Sequence, residues 1–205
     1  ISSVILCALP IANGISASAA GTSPLKTYIV YNVSQNPNIA YFDFKLNYTS
    51  NVETAEKSTA TKLCNGGYFR STINTSIRKI QNTYNGDTIG ARGNLTSTKF
   101  VVPMNTESIF DVVTYSNVVI RNSNNVTLSP TSITMDAVLL GDVNLDGVVD
   151  INDADLIMNY LVNRDEYKLN AKQADAADVY QRGGGITAMD ALTIQEYING
   201  EISHF

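Results

Sequence analysis

Tryptophan is absent from the 205-residue chain, and histidine occurs once, at His204. A single histidine beside the last residue argues against a Ser–His–Asp or Cys–His catalytic site. Only two cysteines are present, Cys7 and Cys64. They supply neither a disulfide framework nor a zinc site, and Cys64 reads as a small half-buried apolar residue. Basic residues are scarce: 14 Lys and Arg stand against 19 Asp and Glu, for a net charge of −5. That balance disfavours nucleic acid, whose phosphates want clustered cations, and no polybasic run suits an anionic membrane. No apolar run is long enough to span a bilayer.

The longest apolar run, Val4 to Ala12, has the length of an export-signal core, and Ala17-Ser18-Ala19 follows as a small-x-small cleavage pattern. Residues 1–19 are therefore expected to be the remnant of a signal peptide on a secreted protein. An alternative is a buried first strand, because Val4, Leu6, Ala8 and Pro10 alternate with other residues. Five Asn-X-Ser/Thr sequons, at Asn32, Asn47, Asn74, Asn94 and Asn125, matter only in a eukaryotic secretory pathway.

What is plentiful between residues 26 and 137 is Val, Ile, Thr, Tyr, Ser and Asn. In "IAYFDFKLNYTS", Ala40, Phe42, Phe44, Leu46 and Tyr48 fall on one face of a strand, and Tyr41, Asp43, Lys45, Asn47 and Thr49 on the other. "KTYIVYNV", "TKFVVPM", "FDVVTY", "NVVIRN" and "SITMDAVLL" are further strand candidates. "SQNPN", "CNGG", "YNGD", "RNSNN" and "SPTS" read as turns. Short strands at this spacing predict an antiparallel β-sandwich over residues 24–138.

Past residue 150 the apolar period becomes helical. Leu156, Ile157, Tyr160 and Leu161 share one face, as do Ala191, Ile194, Tyr197 and Ile198, with Gly200 as a helix stop. The two helices are copies: Asp153, Ala154, Ile157, Tyr160 and Leu161 align with Asp190, Ala191, Ile194, Tyr197 and Ile198 at a constant offset of 37 residues. A repeat of this kind is one supersecondary unit used twice. The alanine-rich stretch between the copies predicts a short connecting helix.

Each helix is preceded by an acidic loop. Numbered from Asp142, oxygen-bearing side chains fall at positions one, three, five, nine and twelve: Asp142, Asn144, Asp146, Asp150 and Asp153. Gly147 stands at the sixth position, where the backbone turns, and Val148 at the seventh offers its carbonyl. This is the spacing of a calcium loop, in which a hard cation takes six to eight oxygens. Two features depart from an EF-hand. The twelfth residue is Asp rather than Glu, and a strand rather than a helix leads in. The second loop, Asp178 to Asp190, is one residue longer and poorer in acid. Arg182 and Gly183 stand where acids are expected, and Asp178, Thr187, Asp190 and backbone carbonyls are the candidate ligands.

"GDVNLDGVVDINDADLIMNYL" and "ADVYQRGGGITAMDALTIQEYI" resemble the two halves of a dockerin, over residues 141–200, with a glycine-extended second loop of the ruminococcal kind. The resemblance implies a small all-α domain ordered by calcium that binds a cohesin module of a scaffoldin. Residues 201–205 form a tail. "NPNIAYFDFKLNYTSNVE" resembles the early strands of cohesins, which implies a sandwich of jelly-roll character. Together these imply a non-catalytic, extracellular cellulosome component, an adaptor scaffoldin whose own sandwich captures a dockerin. The alternative is a carbohydrate-binding module joined to a dockerin. Lack of tryptophan weakens it, although Tyr28, Tyr31, Tyr41, Tyr68, Tyr84 and Tyr115 are available. Asp43, Glu53, Glu56, Asp87, Glu107, Asp111 and Asp136 offer no recognisable catalytic pair. The outward helical positions differ between the repeats: Ile151 and Asn152 correspond to Ala188 and Met189, and Met158 and Asn159 to Gln195 and Glu196. One binding orientation is therefore expected, centred on the first helix.

Overall fold

A computed structural model describes residues 24–205. The signal-peptide expectation falls on residues 1–19, outside the described residues. From Leu25 to Leu139 the chain forms two antiparallel sheets. The first holds β1 (Leu25–Ser34), β7 (Gly93–Pro103), β9 (Ile133–Leu139) and two short edge pieces, β3 (Thr54–Ala55) and β4 (Thr59–Ala60). The second has the order β5 (Gly67–Asn74), β6 (Lys79–Ile89), β2 (Ile39–Tyr48), β8 (Val113–Arg121). This is the expected antiparallel sandwich.

Alternation decides which side chains meet. In β2, Phe42, Phe44 and Leu46 are fully buried, while Tyr41, Asp43, Lys45 and Asn47 between them are half-buried on the outer side. The inner residues join Val30 of β1, Ile80 and Tyr84 of β6, Leu95 and Phe100 of β7, and Ile120 of β8 in one core. Phe42 lies between Phe44 and Tyr84, with ring centroids 5.4 Å from each. Burial of such side chains, at about 25 cal/mol per Å² of apolar surface, is the main force holding the sheets together.

Two expectations about β elements need correction. "YNGD" does not turn; Tyr84 to Asp87 lie within β6. Gly86 faces Gly67 of β5, and a Cβ on Gly86 would sit 2.3 Å from the Gly67 Cα. The glycines permit close backbone approach rather than reversal. "FDVVTY" and "NVVIRN" are not two strands. A 3₁₀ turn over Ile109–Asp111 leads into the single strand β8, whose register shifts where Asn117 takes a φ of 53°.

The helical part follows without a linker. It consists of α1 (Ile151–Val162), the expected connecting helix α2 (Ala171–Ala177), and α3 (Ala188–Ile198). Its small core contains Ala154, Ile157, Ala177, Ala191, Ile194 and Tyr197. Ile157, Ala191, Ile194 and Tyr197 are buried on the predicted faces and Leu156 and Leu161 pack half-buried against them; Tyr160 and Ile198 depart from the pattern. Ile198 is exposed. Tyr160 is only half-buried, with the Arg164 guanidinium 5.1 Å above its ring, whereas its counterpart Tyr197 is buried. Gly200, with φ of 74°, ends α3 as expected. Among the described residues no helix is long and apolar enough to cross a membrane.

The helical unit lies against the outer side of the first sheet. Lys172 of α2 bonds Asp136 of β9 at 3.0 Å, and Asp175 of α2 bonds Tyr31 of β1. Thr27, Ile29, Val101 and Val138, which point outward from that sheet, are buried. The outer side of the second sheet faces solvent.

Candidate functional site

The first acidic loop is wound around its own carboxylates. Asp142 is almost fully buried. Its two oxygens accept hydrogen bonds from the Asp146 N–H and the Gly147 N–H, both at 3.0 Å. Asn144 Oδ1 also accepts from Asp146 N–H at 2.8 Å, and Asp146 Oδ1 accepts from Val148 N–H at 2.9 Å. Leu145 and Gly147 take φ of 65° and 90°, which curls the chain inward. Asp150 caps α1 through the Asn152 N–H. Asp153, wholly buried, closes the loop: Oδ1 accepts from the Val143 and Asn144 N–H groups at 2.7 and 3.0 Å, and Oδ2 from Asp150 N–H at 2.9 Å.

This winding is electrostatically tense without a cation. Desolvation raises the pKa of Asp142, and the negative Asp146 raises it further, against the lowering effect of the loop's N–H groups. Desolvation likewise raises Asp153, with a contribution from Asp142. Among the described residues no three His, Cys, Asp or Glu side chains gather tightly enough to hold a metal ion as they stand. The reason lies in the donor set. Asn144 and the Val148 carbonyl are oxygen donors of other kinds, and the carboxylates turn toward backbone N–H groups. An all-oxygen loop with two buried, mutually repelling carboxylates fits a hard divalent cation.

The second loop keeps this frame. Asp190 is wholly buried. Its Oδ1 accepts from the Val179 and Tyr180 N–H groups at 2.9 and 2.8 Å, the counterparts of Val143 and Asn144. Its Oδ2 accepts from the Thr187 N–H and hydroxyl. Thr187 thus also caps α3. Gln181 and Gly183, with φ of 45° and 96°, curl the chain where Leu145 and Gly147 do in the first loop. Gly183 is therefore the counterpart of the turn glycine, and not a lost ligand. The insertion is absorbed at Gly185, which adds a third positive φ of 83°. Asp178 Oδ2 accepts from Gly183 N–H at 2.8 Å, while its Oδ1 is buried with no hydrogen-bond partner. An unpartnered buried carboxylate oxygen is costly and suits a cation ligand.

Residues 140–199 match the model of the dockerin type I domain. The C-terminal segment is dockerin-like throughout. Dockerin type I domains are calcium-binding modules. A xylanase/beta-glucanase of Ruminococcus flavefaciens is 38% identical over 71 residues, which are 31% of this chain and 9% of that protein's length. Among solved structures, a complex of the third ScaB cohesin of R. flavefaciens with a group 1 dockerin contains a chain 42% identical to this one. The match covers 31% of this chain and 90% of that one, with a TM-score of 0.29. A non-cellulosomal cohesin from Archaeoglobus fulgidus is 16% identical over 52% of this chain and 75% of its own, with a TM-score of 0.41.

On the dockerin segment, the outward positions of α1, namely Ile151, Asn152, Met158 and Asn159, are all exposed. Their counterparts on α3 differ, because Gln195 and Glu196 are half-buried while Ala188 and Met189 are exposed. Composition gave no sign of a further surface. On the open sheet, Arg70, Lys45, Lys79 and Arg121 lie among Thr72, Gln81, Thr83 and Asn85, with two acids: Asp43, held by Gln81 and Thr83, and Asp87, near Arg121. A chain of net charge −5 thus carries a basic face. Strand alternation, once β5 and β6 are recognised, is the signal that finds it.

Proposed function

We propose that the chain is a secreted, non-catalytic cellulosome component that docks at both ends. Calcium held by Asp142, Asn144, Asp146, Asp150, Asp153 and the Val148 carbonyl orders the first repeat of the dockerin. A second ion, held by Asp178, Asp190, Thr187 and carbonyls of the glycine run, orders the other. Calcium supplies charge neutralisation and cross-linking of the loop; the chain's own residues supply the shape. The ordered helices then bind a cohesin of a scaffoldin, mainly through Ile151, Asn152, Met158 and Asn159 on α1, with Gln195 and Glu196 on α3. The sandwich serves as the second module, which makes the protein an adaptor that captures another dockerin.

The observation that best supports two-sided docking is the disposition of the faces. The dockerin segment closes one sheet, and the other sheet presents an open basic face suited to an acidic partner. A carbohydrate-binding role is less well supported. Tyr68 is the only strongly exposed tyrosine among the six candidates, and the Arg121 guanidinium lies over the Tyr41 ring. The test is calorimetry on the full chain. Cohesins should bind with calcium and fail with chelator. A dockerin panel should bind independently, and Lys45→Glu with Arg70→Glu should abolish that second binding while sparing the first. Binding of xylan or cellulose in place of any dockerin would replace the adaptor reading.

A further inference from the structure

The two units are joined by more than the chain. Leu140 N–H bonds the Thr27 carbonyl at 2.9 Å, Gly141 N–H bonds the Ala176 carbonyl at 2.9 Å, and the next residue, Asp142, opens the first loop. Leu25 N–H bonds the Ser203 carbonyl at 2.8 Å, and the Tyr197 hydroxyl donates to the Leu25 carbonyl at 3.1 Å. The most telling contact lies in the second loop. Arg182 stands at the fifth position, where the first loop has Asp146, and it does not point into its own loop. Its guanidinium bonds the Asp175 carboxylate and carbonyl, the Asp178 carbonyl at 3.2 Å, and the Tyr31 hydroxyl at 3.1 Å. Tyr31 in turn donates to Asp175 Oδ2 at 2.6 Å. The guanidinium therefore links the first residue of the second loop to strand β1 of the sandwich.

We propose that the Tyr31–Asp175–Arg182 cluster is a calcium-dependent lock between the sandwich and the dockerin segment. The proposal rests on reading Asp178–Asp190 as a calcium loop, which the orphaned Asp178 Oδ1 supports. Arg182 is held by the carbonyl of the same residue whose carboxylate is the candidate ligand. An ion on Asp178 therefore fixes the backbone from which Arg182 reaches Asp175 and Tyr31. By linkage, the docked sandwich strengthens the ion's binding by the same factor that the ion strengthens docking.

The experiment uses the full chain, calcium titration by calorimetry, and amide hydrogen exchange. Wild-type protein should bind two calcium ions, and calcium should slow exchange in β1 and β9. Tyr31→Phe with Arg182→Gln removes the lock's hydrogen bonds while keeping the ring and a polar side chain. In that variant the second-site affinity should fall about fivefold or more, the first-site affinity should stay the same, and calcium should no longer slow exchange in β1 and β9. Equal second-site affinity in wild type and variant would overturn the lock, as would calcium-independent exchange in wild-type β1 and β9. A stoichiometry of one ion would overturn it by a different route, through the reading of the second loop itself.

Discussion

Asp153 is expected to act twice, as scaffold and as ligand, and two substitutions separate the roles. Its carboxylate accepts three backbone hydrogen bonds, from Val143, Asn144 and Asp150. Asp153→Ala orphans all three donors. Val143 is fully buried, so its N–H loses any partner, whereas Asn144 and Asp150 are partly exposed and water reaches them. At about 1–3 kcal/mol for a buried orphan, less for wetted ones, the gross loss is about 2–4 kcal/mol. Removing a desolvated charge next to Asp142 offsets part of it. The net expectation is about 2–3 kcal/mol off the dockerin segment without calcium, with a further loss in its presence. Asp153→Asn keeps one acceptor oxygen and removes the charge. It should fold nearly as well as wild type without calcium, yet lose tenfold or more in calcium affinity, about 1.4 kcal/mol. Denaturant unfolding followed by far-ultraviolet circular dichroism, with calcium and with chelator, reads both quantities. If Asp153→Asn gained as much stability from calcium as wild type does, the carboxylate would not be a ligand and the reasoning would fail. Asp178→Ala should cost less than Asp153→Ala, because Asp178 accepts from a single exposed N–H.

Further outcomes are expected. In calcium-stripped protein, the raised pKa values of Asp142 and Asp153 mean the folded form holds protons that the unfolded chain has released. Their contribution to stability should therefore rise as pH falls from neutral through the raised values and level off below the ordinary 3.8. Calcium-loaded protein should respond in the opposite direction, since protons compete with the ion; unfolding curves across pH check the signs. Gly86→Ala should destabilise the sandwich by about 1–3 kcal/mol by forcing β5 from β6, measured by thermal unfolding. Met158→Asp with Asn159→Asp should abolish cohesin binding, while Gln195→Ala with Glu196→Ala should spare it. If each pair alone left affinity intact and only their combination destroyed it, the two faces would be interchangeable.

The parts of the fold legible in the sequence are those whose pattern is set locally. The strict alternation of Ala40 to Thr49 gave β2, and the offset of 37 residues gave both loop–helix repeats. β6 is not legible in the sequence because its inner row, Ile80, Asn82 and Tyr84, is broken by a polar residue, and because Gly86 mimics a turn signal. Asn82 is fully buried with neither amide atom bonded, a feature no pattern announces. Within the candidate site, ligand spacing marked the first loop well. Arg182 read only as a missing acid. Its actual partner, Tyr31, lies 151 residues away, and contacts of that range leave no periodic trace.

The divergence of the two repeats has a physical source in that same long-range contact. Internally they are alike: Asp153 and Asp190 bind equivalent N–H pairs, and both loops curl at the same two positions. Their surroundings are not alike. Tyr160 stands half-exposed beneath Arg164, while Tyr197 is buried against Phe205, with ring centroids 4.8 Å apart, and bonds the first strand of the sandwich. The tips of both loops are exposed, Leu145 to Val148 in the first and Gln181 to Gly185 in the second, but the second is bonded to β1 through Arg182. A partner approaching the second repeat meets a unit bonded to the sandwich at Arg182 and Tyr197, with Met189 and Leu192 exposed beside the half-buried Gln195 and Glu196. One approaching the first repeat meets exposed Ile151 and Met158 beside hydrogen-bonding Asn152 and Asn159. An apolar anchor flanked by polar groups that can pair is the composition of a docking surface. On the proposed reading of α1 as the main docking face, the sandwich biases the choice between two similar helices by bonding the second repeat at Arg182 and Tyr197.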